Sequence, residues 1–299
     1  MILVAGGTGF IGSAVVERLL REGADVAVMT AHPSRSRSVI EAMGARAVEG
    51  DVQDAASLNR AVQGAQGVVQ ALTFPTFPVE KRRKGYTFEE FDHRGTERLV
   101  RAGAAAGAGR YVFVSGSGAS PDAPEVWFRA KWAGEEAVRA SAIPHVIVRP
   151  SWVYGPKDRA LNTFIRLGRW LPFVPVVGNG EQRLQPVFVD DVAEAIAQAV
   201  RPDAPTGTFE IGGTEVMTMN EVLRVMMEVR GRHKPLVHFP PLLPKLAGAI
   251  LQFLPKPPLS PRAVAFVTGD ALADTGPLLA AFDLNLRSLR EGLGTYLSR

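Results

Sequence analysis

The sequence predicts an α/β protein whose strands run parallel in one sheet, and three observations carry that prediction. Within the first dozen residues a short apolar run breaks into spaced glycines and re-emerges as a helix. Strand-like and helix-like hydrophobic patterns then alternate along most of the chain, an order that implies crossover helices between parallel strands. At 299 residues and 46% apolar composition the chain is long enough for one large α/β unit with a smaller appendage.

Ile2 to Ala5 reads as a fully buried strand. Gly6, Gly9 and Gly12 follow at G-x-x-G-x-x-G spacing, with Thr8, Phe10 and Ile11 between them. The glycines serve a tight turn, a close backbone approach to a pyrophosphate, and close packing of helix on strand. Ile11, Val15, Leu19 and Leu20 then recur at helical spacing until Gly23, so free N–H groups and the positive end of a helix dipole face the turn. A second strand at Asp25 to Met29 completes a βαβ unit, the context that turns a glycine pattern into a dinucleotide-binding expectation.

The end of the second strand selects the dinucleotide. A carboxylate there would bond the ribose 2′-hydroxyl, but Thr30 and Ala31 occupy the place. Arg35 and Arg37 follow, and their guanidinium groups either hold a 2′-phosphate or solvate a surface loop. NADP(H) is therefore favoured over NAD(H).

Ala45 to Glu49 is a third strand, Asp54 to Val62 a helix, and Val68 to Leu72 a fourth strand whose last residues, Ala71 and Leu72, reach the nucleotide side. Gly50-Asp-Val52 stands where the third strand ends. Asp51 either accepts from the adenine amine, with Val52 beside it, or caps the next helix. Residues 73 to 86 are irregular. Thr73, Phe74 and Phe77 there line a pocket or pack under the loop, since ligands sit at the carboxyl ends of strands in open α/β sheets. A long helix spans Glu89 to Ala106, a fifth strand Tyr111 to Ser115, and a sixth His145 to Arg149. The helix between them carries Trp127, Lys131, Glu135 and Glu136.

Beyond the sixth strand a helix covers Ala160 to Trp170, a loop with Gly178 and Gly180 follows, and Val187 to Val189 leads into a helix from Asp190 to Val200. Asp190 and Asp191 at its start read as caps in preference to catalysts. Gly207 to Ile211 is a last strand, followed by a helix at Met219 to Val229 and a short strand near Leu236 to Phe239. The apolar segment 242–254 is too short to span a bilayer. It packs on the protein, forms a lid, or lies in a membrane interface.

The chain has no cysteine, which excludes disulfides and thiolate chemistry and agrees with a reducing compartment. The first strand begins right behind Met1, leaving no room for a leader, so the cytoplasm is expected, with a possible position peripheral to the inner face of the membrane. A net charge of +4 does not imply nucleic acid. The dense basic run, Lys81 to Lys84, is a solvated loop or faces an anionic membrane or acidic partner. The five histidines show no metal-ligand spacing, so no metal is expected.

Taken together, Val4-Ala-Gly-Gly-Thr-Gly-Phe-Ile-Gly12, Gly50-Asp-Val52, Arg94-Gly-Thr96, Val112-Phe-Val-Ser115, Arg149-Pro-Ser-Trp-Val-Tyr-Gly-Pro156 and Val187-Phe-Val-Asp-Asp-Val192 resemble an extended or atypical short-chain dehydrogenase/reductase of the NAD-dependent epimerase/dehydratase type. Ile211-Gly-Gly213, Met217 to Glu221 and Ser288 to Leu293 with Tyr296-Leu297 are most similar to the branch containing the nucleotide-binding accessory subunit of respiratory complex I and its bacterial relatives. The resemblance implies a doubly wound Rossmann domain at 1–155 and 185–213. It also implies a smaller substrate domain at 156–184 and 214–299.

The resemblance further implies a serine, a tyrosine and a lysine in a Tyr-x-x-x-Lys pair, one helix turn apart, so that the ammonium lowers the phenol's pKa and bonds the nicotinamide ribose. Here Lys131 is present but Trp127 holds the tyrosine position, and an indole cannot exchange a proton near neutral pH. Ser117 matches the family serine and Ser115 precedes it. Pro150, Ser151 and Val153 correspond to contacts with the carboxamide. Tyr154 either substitutes as proton donor or packs. Two functions follow as expectations. One is an NADP(H)-linked oxidoreductase or epimerase-type enzyme on a small substrate. The other is a non-catalytic NADPH-binding accessory or sensor protein of a respiratory or membrane complex.

Overall fold

Runs of Val, Ile and Leu flanked by glycine turns make strands that are buried on both faces, as a parallel sheet under helices requires. The computed structural model describes residues 1–240, 242 and 269–297. Its first half alternates β1 (Ile2–Ala5), α1 (Phe10–Arg21), β2 (Val26–Thr30), α2 (Pro33–Ala42), β3 (Arg46–Glu49), α3 (Ala55–Ala61) and β4 (Gly67–Gln70). A π-helical turn (Glu89–Arg94) then runs into α4 (Gly95–Ala105), followed by β5 (Arg110–Val114), α5 (Val126–Arg139) and β6 (His145–Pro150).

The second half contains β7 (Trp152–Tyr154), α6 (Ala160–Trp170), β8 (Val174–Val177), β9 (Arg183–Leu184), β10 (Pro186–Phe188) and α7 (Val189–Ala199). After these come β11 (Gly207–Ile211), β12 (Met217–Thr218), α8 (Met219–Val229), β13 (Leu236–Phe239), α9 (Gly276–Ala281) and α10 (Leu289–Leu297).

Seven strands form one parallel sheet in the order β11-β6-β5-β4-β1-β2-β3. The order reverses between β1 and β4, where such sheets open a ligand crevice at their carboxyl edge. The Rossmann-type doubly wound sheet is thus as expected. Outside it, β7 pairs with β10, β12 with β9, and β13 with β8.

Two departures have local physical causes. The arginines after β2 stand on α2 and not on a loop. Pro33 starts that helix, and Ile40 is its one buried residue, so there is no apolar stripe for periodicity to reveal. The long helix expected from Glu89 is broken into the π-helical turn and α4, and this turn buries both Phe91 and Asp92. At the head of α7 both Asp190 and Asp191 stand in the first turn, where the dipole favours carboxylates, with no side-chain cap hydrogen bond and with Asp191 turned to Arg287. The apolar segment 242–254 lies, apart from residue 242, outside the described residues.

Candidate nucleotide site at the carboxyl edge of the sheet

The cradle is set by what a side chain would strike. Gly6 has a φ of +88°, and a Cβ there would run into the Ala71 carbonyl at the end of β4. A Cβ on Gly12 would collide with the Gly6 carbonyl, which already accepts the Gly9 N–H at 2.9 Å. The first intrahelical bond of α1 runs from the Ser13 N–H to the Gly9 carbonyl, and no side chain caps the helix. The N–H groups of Phe10, Ile11 and Gly12 therefore lack intrahelical partners, and no acidic residue stands in that turn. Free amides at a helix dipole's positive end fit a diphosphate.

Around this cradle, Ala71 and Leu72 are half-buried just beyond β4, and Thr8 and Thr73 are exposed. Asp51 accepts the Gln53 N–H at 2.9 Å, while Asp54 caps α3 by accepting from Ala56. The capping alternative for Asp51 is thereby corrected. Val52 is buried, and its carbonyl accepts from Arg98 at 2.6 Å. Arg35 and Arg37 are exposed on the first turns of α2, and Arg37 lies 3.6 Å from Glu41 of the same helix.

At the end of β5 the Ser115 hydroxyl donates to Glu135 at 2.6 Å, and the Ser117 N–H donates to the Pro150 carbonyl at 2.9 Å. The Ser151 hydroxyl donates to the Gln185 carbonyl at 2.5 Å. The hydroxyls of Ser115 and Ser151 are thus turned into the protein. Val153 sits half-buried on β7. Glu135 is fully buried and is satisfied by Arg149 at 2.6 and 2.8 Å and by Arg139 at 2.6 Å.

Trp127 and Phe128 stack at 3.7 Å between ring centroids, over Gly116 and Gly118. One turn further on, the Lys131 Nζ lies 2.9 Å from Asp92 Oδ1 and donates to the Val114 carbonyl at 2.9 Å. Burial pushes the Asp92 carboxyl up from its ordinary range, against the opposing pull of Lys131.

For two of the candidate pocket residues the structure supports the packing alternative. Tyr154 has no exposed surface, and its hydroxyl donates to the Ser288 carbonyl at 3.2 Å, against α10. Burial raises its pKa far above the ordinary phenol value, so it cannot serve as the site's proton donor. Phe74 is likewise enclosed, in edge-to-face contact with Phe77, Phe88 and Phe91, and so packs under the loop instead of lining a pocket.

Asp92 and Glu135 were missed by sequence reasoning. Asp92 did leave a signal, because at helical spacing it shares a face with Thr96, Leu99 and Gly103, all of them buried. A carboxylate on an apolar stripe needs a partner.

The family model described as the NAD dependent epimerase/dehydratase family matches residues 2–212. The chain belongs to that family. Among relatives of this epimerase/dehydratase-family chain, the mitochondrial NADH dehydrogenase [ubiquinone] 1 alpha subcomplex subunit 9 of Arabidopsis thaliana is 32% identical over 76% of the chain and 57% of the relative. The same subunit of Mus musculus is 33% identical over 70% of the chain and 56% of the relative. The chain thus spans somewhat over half the length of these relatives. A ceramide reductase of Caulobacter vibrioides is 27% identical over 84% of the chain and 77% of the relative.

Solved structures share the fold. The UDP-glucose 4-epimerase of Thermotoga maritima with UDP-glucose superposes with a TM-score of 0.76 at 23% identity, covering 99% of this chain and 96% of that one. The Thermus thermophilus UDP-glucose 4-epimerase complex with NAD gives 0.74 at 22%, covering 99% and 97%. Family membership and the cradle together make a nicotinamide dinucleotide the group these residues fit. Gly6 to Gly12 would hold its diphosphate and Lys131 its nicotinamide ribose. Among the described residues no helix is long and apolar enough to cross a membrane.

Proposed function

We propose that this epimerase/dehydratase-family chain holds NADP(H) as a retained nucleotide and does not run a tyrosine-dependent proton transfer. One observation carries the reading: the position of the family's tyrosine holds an indole in place of a phenol. Trp127 occupies the position, Lys131 is paired with Asp92 and Tyr154 is sealed in the core. Every backbone feature that fits a diphosphate is nevertheless present, so binding and turnover are separated. The preference for the 2′-phosphorylated nucleotide rests on Arg35 and Arg37 and on the missing carboxylate at Thr30 and Ala31.

In this role the second half of the chain, residues 156–184 and 214–299, serves as the domain that meets a partner or small ligand. The similarity to a complex I subunit favours an accessory place in a respiratory assembly, at the periphery of a membrane. Titration calorimetry tests the reading. NADPH should bind at least about tenfold more tightly than NADH, raise the melting temperature, and remain unoxidised when carbonyl compounds are added. Tighter NADH binding would overturn the cofactor preference.

A second reading, an NADP(H)-linked reductase, is favoured by the similarity to the ceramide reductase, which covers more of that relative than of the complex I subunits. Oxidation of bound NADPH by a long-chain carbonyl compound would establish it in place of the first.

A further inference from the structure

The run Lys81-Arg-Arg-Lys84 takes no part in the cradle described above, yet it puts four cations into four consecutive residues. It is not a loose loop. Arg82–Lys84 form a 3₁₀ turn closed by Gly85 at a φ of +68°. The Lys81 and Tyr86 backbones exchange hydrogen bonds across it at 2.8 and 3.3 Å, and the Gln53 side chain, between β3 and α3, donates to the Gly85 carbonyl at 3.4 Å. Beneath the turn Phe74, Phe77, Phe88 and Phe91 pack edge to face, and Tyr86 meets Phe91 at 5.9 Å. This aromatic base fixes the direction of the tip.

All four cationic side chains are exposed. In a 3₁₀ turn the residues at i and i+3 eclipse, so Lys81 and Lys84 share a side and repel. The acids around them are committed elsewhere: Glu80 accepts the Phe88 N–H at 3.1 Å, Glu89 holds Arg94, and Glu90 holds Arg98. Among the described residues none of the four charged groups forms an ion pair. A cluster of like charge held in this way disfavours the free chain and points to an anion outside it.

Apolar surface discriminates between anionic partners. A protein interface centres on aromatic or aliphatic anchors in a dry core. Here the aromatics face inward: Phe74, Phe88 and Phe91 are buried, Phe77 and Tyr86 are half-buried, and among the described residues no large hydrophobic side chain is exposed between 73 and 91. A tip of cations without anchors fits a diffuse anionic layer, in which each Lys or Arg adds its own attraction.

Resting on the peripheral placement read above, we propose that the Lys81 to Lys84 turn is the surface by which the chain meets an anionic membrane, held by phospholipid headgroups through charge. The contact is independent of nucleotide binding.

Co-sedimentation of the full chain with phosphatidylcholine vesicles containing about one-third phosphatidylglycerol tests it. The chain should bind these vesicles, ignore pure phosphatidylcholine, and be released as salt rises toward about 0.5 M. Lys81→Gln/Arg82→Gln/Arg83→Gln/Lys84→Gln should lower partitioning about a hundredfold or more without lowering the melting temperature, since the four side chains are exposed. A control variant, Arg21→Gln/Arg46→Gln/Arg101→Gln/Arg201→Gln, removes the same net charge from exposed arginines outside the turn and should stay within about threefold of the parent.

Equal loss in both variants would assign the binding to net charge and overturn the proposal. Binding that survives in the turn variant would overturn it while leaving the peripheral placement standing, whereas a parent chain that ignores anionic vesicles would overturn both. Capture of polyglutamate by a chain that ignores vesicles would identify an acidic protein as the partner in place of a membrane.

Discussion

Asp191 on α7 and Arg287 ahead of α10 are joined twice, by the guanidinium at 2.5 Å and by the Arg287 backbone N–H at 2.9 Å. The guanidinium also lies 5.2 Å from the centroid of the Phe188 ring. These contacts fix the C-terminal helix against the sheet half, where Gly292 leaves room for the Tyr154 hydroxyl. Arg287→Ala leaves a mostly buried carboxylate without its charge partner and should cost about 1 to 3 kcal/mol, discounted because the arginine is partly exposed. Urea unfolding measures it; a loss under about 0.5 kcal/mol would mean that the apolar packing of α10 suffices.

Gly12→Ala should damage binding more than folding. The added methyl meets the Gly6 carbonyl, so the turn must open. A stability loss of about 1 to 3 kcal/mol is expected from overpacking. NADPH affinity should fall by roughly a hundredfold, about 2.7 kcal/mol. Calorimetry that found parent-like affinity would show that the turn can relax without moving its amides.

Arg35 and Arg37 give a charge-specific prediction. Replacing both by Ala should weaken NADPH by about 1.5 to 3 kcal/mol, the scale of charge-assisted hydrogen bonds, and leave NADH unchanged. Equal weakening of both nucleotides would assign the arginines to something other than a 2′-phosphate.

Glu194 supplies a pH signature. The hydrogen bond from Arg18 holds its carboxyl below the ordinary range, against the opposing effect of burial. The folded protein therefore releases this proton more readily than the unfolded chain. The pair's stabilisation is complete above the ordinary glutamate range and fades as pH falls through the lower folded value. Glu194→Gln should melt below the parent at about pH 7 and converge with it once the pH falls well below the ordinary glutamate range. A gap in melting temperature that stays constant from neutral to acid would contradict the assignment.

The glycine turn was legible in the sequence because its constraint is local. Gly6, Gly9 and Gly12 are spaced by the geometry of one turn, and the flanking strand and helix confirm them. Helix α2 was not legible, since it buries little more than Ile40. The fate of Tyr154 was also hidden: being next to the carboxyl end of β6 says nothing of whether a ring faces the crevice or α10. The Asp92 to Lys131 pair was half legible: the spacing marks Asp92 as buried, but which cation meets it depends on the π-helical turn. The arginines that neutralise Glu135 illustrate the same limit, because Arg149 approaches it from a neighbouring strand.

The sheet's outermost partner for β6 is β11, which pairs with it in parallel from Gly207 opposite Val146 to Ile211 opposite Pro150. All the segments from β7 to α7 emerge from the ribosome between those two strands. During synthesis the growing chain therefore carries β6 as an open edge, and an unpaired apolar edge recruits other nascent chains. A ribosome stalled shortly before Gly207 should present a chaperone-dependent, aggregation-prone intermediate, and one stalled well after Ile211 should not.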